Sequence, residues 1–252
     1  TATDVVRDRR RLRYAALGSA ALLAGLWVAW ALAWLLGWPP AELGIEPRHW
    51  RGLVGVLSAP FAHASFAHLM SNTLPMALLA TLTLYCYPRA ARLALPLIWL
   101  GSGAAVWLFA RASIHVGASG IAHGLMFFLF VMGLLRRDRL AVVTALVVFF
   151  LYGGMLLSVL PQEPDVSFEY HLAGALAGVL AAILLRQRDP PPPRKRYSWE
   201  DEEADAAEPD AELEPPHAGE VPVLWRRAPR PGGRVLEFRP RDRADAEPPL
   251  RH

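Results

Sequence analysis

Three short stretches of this 252-residue chain combine residue types that carry out nucleophilic chemistry: HASFAHLMSN (63–72), GASG (117–120) and HLAGALAG (171–178). A serine hydroxyl such as that of Ser119 is a weak nucleophile until a base accepts its proton, and a neutral imidazole such as that of His171 suits that task near pH 7. Attack on a peptide carbonyl creates an oxyanion, which needs positioned donors. His68 and Asn72 are four residues apart, so they share one helix face and can supply such donors. His63 falls five residues before His68, at a loop–helix junction. Gly117 and Gly120 let backbone come close to Ser119. Ser119 itself opens an apolar run, which places it near a helix N-terminus, where unpaired N–H groups and the helix dipole favour negative charge. His171, Gly174 and Gly178 share a face, and the two glycines form a GxxxG pair that lets helices touch. That spacing predicts that leucine at Gly174 disrupts the contact and that alanine, adding only a methyl group, is milder.

Each stretch also has a structural reading. Histidine and asparagine hydrogen-bond neighbouring helices in bundles. Serine is a good N-cap, and Gly-Ala-Ser-Gly makes a packing surface. A metal site is not expected. There is no HExxH, no carboxylate at ligand spacing, and a single cysteine, Cys86, which also precludes an intrachain disulfide. No cofactor is called for.

The elements that must position these groups are apolar helices. The chain is 54% hydrophobic with nine tryptophans, and the apolar residues concentrate in 14–186. A helix needs about 20 apolar residues to cross a bilayer. The runs are Tyr14–Trp38, His68–Tyr87, Leu93–Ala110, Ser119–Leu135, Leu140–Leu160 and Tyr170–Leu185, which predicts six spans. Spans alternate direction, so His68, Ser119 and His171, each at the start of an even-numbered one, lie at similar depth near the same surface. That shared depth argues against three unrelated structural roles.

Arginines cluster before the first span and after the second, fourth and sixth, as at Arg7–Arg13, Arg89, Arg136 and Arg186. The other connections hold only Arg48, Arg51 and Arg111. The positive-inside rule then puts both termini in the cytoplasm. The first run resembles a signal peptide at its basic start but continues through Trp34–Trp38, too long for a cleaved apolar core. The connection 39–67 is amphipathic and suits the membrane interface. Residues 1–13 read as a basic cytoplasmic N-terminus, and 14–186 as the membrane domain. Residues 187–252 read as a tail rich in proline and charge, with the opposite-charge blocks usual in disordered segments. The net charge of +3 sums unlike parts. No aromatic-and-basic stripe suits base stacking, so no nucleic-acid partner is expected.

Taken together, HASFAHLMSN, GASG, HLAGALAG and the GIEPR…GL…PFAH run of the first connection resemble the rhomboid intramembrane serine proteases of bacteria, over residues 14–186. The resemblance implies an all-α membrane protein, a six-helix bundle with a water-filled cavity open to the outside and a Ser–His dyad without an acidic third member. By motif position it implies Ser119 as nucleophile and His171 as base. Asn72 and His68, with the Ser119 backbone N–H, would form the oxyanion hole, His63 would support the loop, and Gly174 and Gly178 would press the sixth span onto the fourth. It implies hydrolysis through an acyl-enzyme, transmembrane segments of other proteins as substrates, and a place in the bacterial inner membrane. One departure is His123, where many members carry Tyr or Phe against the catalytic imidazole; one helical turn below Ser119, it is placed to stack there instead. Two other function classes fit the sequence less well. A client-binding pseudoprotease is disfavoured by the intact Ser119 and His171. A small transporter is disfavoured because no Asp or Glu falls inside the proposed spans.

Overall fold

Alanine- and leucine-rich sequence without an interior breaker forms the first helix, α1 (Ala2–Leu35), which ends at Gly37 in the left-handed region and the following Pro39-Pro40. The computed structural model describes residues 2–161, 163 and 166–190. After α1 come the short α2 (Gly52–Ser58), then α3 (Phe66–Cys86), α4 (Pro88–Phe109), α5 (Ser119–Arg136), α6 (Arg139–Tyr152) and α7 (Phe168–Leu185). Tight 3-10 turns cover Pro40–Leu43, Ala59–Phe61 and Gly153–Val159. There is no strand among the described residues, only an isolated bridge between Ile45 and His115. The expectation of a disordered tail falls, from residue 191 onward, outside the described residues.

Among the described residues, six helical segments are long and apolar enough to cross a membrane: Val5–Leu35, Phe66–Cys86, Pro88–Phe109, Ser119–Arg136, Arg139–Val159 and Phe168–Leu185. The fold is therefore an all-α, six-span bundle. The first helix begins well before the apolar run, because arginine is a good helix former and nothing in residues 2–13 breaks the helix. The fifth span is α-helical only to Tyr152; Gly153 and Gly154 follow, and the chain tightens into the 3-10 turn.

α5 is the central helix, in contact with α3, α4, α6 and α7. Leu125, Met126, Phe128, Leu129 and Met132 make it the apolar core of the bundle. Large apolar side chains on α1 and α6, such as Val28, Leu32, Phe150 and Leu151, are exposed, as befits helix faces turned toward lipid. α7 meets both α5 and α4 through small residues: Gly174, Ala177, Gly178 and Ala181 are all buried.

Polar caps fix the ends opposite the site. Asp138 caps α6 by accepting from the Ala141 N–H at 3.0 Å, and Arg136 pairs with it at 2.9 Å. Asp189, just beyond α7, accepts from the N–H groups of Arg89 at 3.0 Å and Ala90 at 2.9 Å, which ties the end of α7 to the start of α4. Such charged caps satisfy donors that helix geometry leaves without partners.

Candidate functional site

Ser119 is the first residue of α5, and the cap position belongs to Ala118, with no side-chain cap bond. The reading of Ser119 as an N-cap is thereby corrected: its hydroxyl is not spent on the helix end. Helix geometry also leaves the Ser119 N–H without an intrahelical acceptor.

The loop before it is pinned from several sides. Ile45 and His115 exchange backbone bonds at 2.9 and 3.0 Å, and the Gly117 N–H donates to the Ala59 carbonyl at 2.9 Å. The Ala118 N–H points to His63 Nε2 at 3.4 Å. His63 is 2% exposed, and burial, with His68 nearby, pushes its imidazole down to about 4. It is thus a neutral acceptor supporting the loop. Gly117 has φ +108°, and a methyl group there would lie 2.6 Å from His68 Nε2 and 3.5 Å from Asn72 Nδ2. Glycine is required at this point both by its backbone conformation and by the approach of these two side chains.

α3 brings His68 and Asn72 to that loop. Ser65 caps the helix by accepting from the His68 N–H at 3.1 Å, which starts the helix in the register that puts residues 68 and 72 on one face. One Asn72 Nδ2 hydrogen is directed to the His68 carbonyl at 3.2 Å. Asn72 is buried and His68 half-buried.

α7 brings His171. Its ring stacks on that of His123 with centroids 4.0 Å apart and planes at 11°. His171 Nδ1 lies 3.0 Å from the Ser158 carbonyl oxygen. His123 Nδ1 lies 2.7 Å from the Ser119 carbonyl oxygen, and His123 Nε2 lies 2.8 Å from Ser158 Oγ. The helices that carry the two rings touch backbone to backbone. A methyl at Gly174 would sit 1.9 Å from the Gly120 carbonyl oxygen, and one at Gly178 would sit 2.0 Å from that of Gly124. Gly120 in turn accommodates the Tyr170 ring, at 2.4 Å from where its own methyl would be. Leucine at Gly174 is still expected to be worse than alanine, but even alanine's single methyl meets α5 backbone.

Ser119, His123, His171, His68 and Asn72 all line one cavity of about 540 Å³, with Met155 and Ser167 among its other walls. No cluster of groups suited to holding a metal ion occurs among the described residues.

Some participants carry little sequence signal. Ser158 lies within an apolar run and reaches the site only because α6 stops at Tyr152; the Gly153-Gly154 pair was the available hint. His115 is fully buried, with Nδ1 bonded to the Ser167 hydroxyl at the start of α7 and Nε2 3.3 Å from the Arg111 carbonyl. It thereby links the loop before Ser119 to the helix that carries His171. Burial pushes the His115 imidazole below its ordinary value.

Fold and site together define a multi-pass integral membrane protein with a cavity, lined in part by histidine, serine and asparagine, near the start of three helices. Residues 48–188, more than half of the chain, match the family model of the Rhomboid domain, and the chain belongs to the rhomboid family, a family of intramembrane proteases. Uncharacterized proteins of Mycobacterium bovis and Mycobacterium tuberculosis are each 41% identical over 151 residues, 56% of this chain and 63% of the relative. An uncharacterized protein of Mycobacterium leprae is 35% identical over 142 residues, 53% of this chain and 56% of the relative. The chain thus spans less than two thirds of the length of these relatives.

Proposed function

We propose that the protein is an intramembrane serine endopeptidase in which Ser119 attacks the peptide carbonyl and His171 accepts its proton. The observation that carries this reading is the single cavity that gathers Ser119, His171, His68 and Asn72 from three separate helices. Ser119 Oγ attacks, the proton passes to His171 Nε2, and the tetrahedral oxyanion receives hydrogen bonds from the Ser119 N–H, Asn72 Nδ2 and His68. Collapse expels the amine, which takes the proton from His171, and leaves an acyl-enzyme. Water entering the cavity then hydrolyses the ester, with His171 again as base. Irregular backbone at bilayer depth is tolerable where it lines such a wet cavity, and the pinned loop 110–118 is of that kind.

The substrates are transmembrane segments of other membrane proteins, entering from the bilayer and unwound near the side on which α3, α5 and α7 begin. That side is the outside and both termini are cytoplasmic, a reading supported by the basic asymmetry of the connections, and the site of action is the bacterial inner membrane, a reading supported by the resemblance to bacterial members of the family. The test is cleavage of a model transmembrane substrate in proteoliposomes, wild type beside Ser119→Ala. Product from the wild type alone supports the reading; equal product from both rejects it.

A further inference from the structure

We propose that Ser158 is the positioning residue of the base, fixing the tautomer of His171 through its carbonyl and anchored in turn by His123 through its hydroxyl. The inference rests on the reading of Ser119 and His171 as nucleophile and base. It concerns how an imidazole with no carboxylate hydrogen-bonded to it among the described residues is kept in the useful protonation state.

The argument follows from which atoms can donate. A carbonyl oxygen only accepts, so His171 Nδ1, 3.0 Å from the Ser158 carbonyl, carries the hydrogen. In the neutral imidazole Nε2 is then the lone-pair nitrogen, the one required to take the Ser119 proton. In three-membered sites a carboxylate performs this orienting task; here a main-chain carbonyl does so. The same logic applies to His123. Its Nδ1 lies 2.7 Å from the Ser119 carbonyl and must be the donor. Neutral His123 therefore accepts at Nε2, and the group 2.8 Å away is the Ser158 hydroxyl. That hydroxyl also donates toward the Met155 carbonyl at 2.9 Å, so its one hydrogen is shared between that oxygen and His123 Nε2.

The result is a chain of bonds from the Ser119 carbonyl through His123 to the Ser158 side chain, and from the Ser158 main chain to His171. Stacking of the two rings at 4.0 Å closes it. Phenylalanine at position 123 would keep the stack but could neither donate to Ser119 nor accept from Ser158. Ser158 sits in the 3-10 turn Gly153–Val159 rather than in an α-helix, and its hydroxyl is what ties that turn to His123.

The experiment is ¹⁵N NMR of histidine-labelled full-length protein in micelles, with the His171 signals assigned by comparison with His171→Gln. It is run on wild type, Ser158→Ala, Ser158→Thr and His123→Phe, beside thermal melting and cleavage kinetics. The wild type is expected to show one neutral His171 tautomer, protonated at Nδ1. Ser158→Ala and His123→Phe should each give a mixture of tautomers and lower kcat about tenfold or more with KM little changed. Their combination should be no worse than either alone, because the two act through one chain. Ser158→Thr, which keeps the hydroxyl, should restore both signal and rate. A His171 unprotonated at Nδ1 in the wild type, or an unaltered tautomer in folded Ser158→Ala, overturns the proposal. The spectra decide this even if no cleavage is seen in any variant, a result that would reject the catalytic reading and leave the positioning of His171 to be judged by its tautomer.

Discussion

Replacing Gly174 by alanine adds one methyl group, yet it should nearly silence the proposed proteolytic activity. That methyl would stand 1.9 Å from the Gly120 carbonyl oxygen, whereas real contacts of this kind essentially never fall below 3.0 Å. The helices must therefore separate by about 1.1 Å at this point, because the obstructing atom is backbone and no side-chain rotation relieves it. Gly120 directly follows Ser119, and Gly174 is one turn from His171, so the separation falls on the distance between the proposed nucleophile and base. A base must lie within about 2.6–3.2 Å of the group it serves, and a misplacement of about 1 Å can cost on the order of a hundredfold in rate. Overpacking should also cost stability, by about 1–3 kcal/mol. Gly101→Ala on α4 is the control, since its methyl would meet nothing closer than 3.7 Å. Cleavage of a transmembrane substrate and thermal melting are measured for both variants. The expectation is a loss of about a hundredfold in kcat for Gly174→Ala and near-normal activity for Gly101→Ala. Full activity with an unchanged melting temperature in Gly174→Ala would refute the reasoning that this contact sets the geometry of the site.

Three further outcomes are expected. Asn72→Ala should lower kcat more than it raises KM; loss of one oxyanion donor costs roughly 3 kcal/mol in a serine protease, and less here because His68 and the Ser119 N–H remain. An unchanged kcat would assign Asn72 to packing. Stability should fall on acidification: burial holds His63 at about 4 and His115 below its ordinary value, whereas an unfolded histidine titrates near about 6.5. The unfolded chain then takes up protons that the folded chain refuses, so stability is full above about pH 6.5 and declines from there toward pH 4. Melting temperatures at pH 7.5 and 5 test this, and His63→Asn should flatten the dependence; a flat wild-type profile contradicts it. Reporter fusions at Arg10 and after Arg196 should both read cytoplasmic, and one in the connection before α7 should read external; an external reading after Arg196 overturns the topology.

The sequence reading located all six spans because length and hydropathy are properties of the chain itself. It was least accurate where helix propensity overrides hydropathy, as at the arginine-rich start of α1, and where a helix stops inside an apolar run, as at Tyr152. His68, Asn72, Ser119 and His171 stood out because polar groups are costly in a bilayer and share one depth. Spacing alone shows that Gly174 faces a neighbour, but the axial distance that makes a single methyl intolerable is a property of the packed pair. Ser158 and Ser167 carried no pattern, since their roles arise from where a 3-10 turn and a helix start happen to meet the two imidazoles His123 and His115. The N-cap reading of Ser119 failed for a related reason: composition names a capable residue, whereas the cap belongs to whichever residue the loop leaves at the helix boundary, here Ala118.

The central claim is that Ser119 is a nucleophile activated by His171, and covalent trapping tests it most directly. Purified protein in micelles is treated with a fluorophosphonate, digested, and the site and extent of modification are read by mass spectrometry. The account predicts a single adduct on Ser119 that is absent in Ser119→Ala and strongly slowed in His171→Ala, although both variants melt like the wild type. An adduct on another serine, or labelling of Ser119 at full rate without His171, would contradict it.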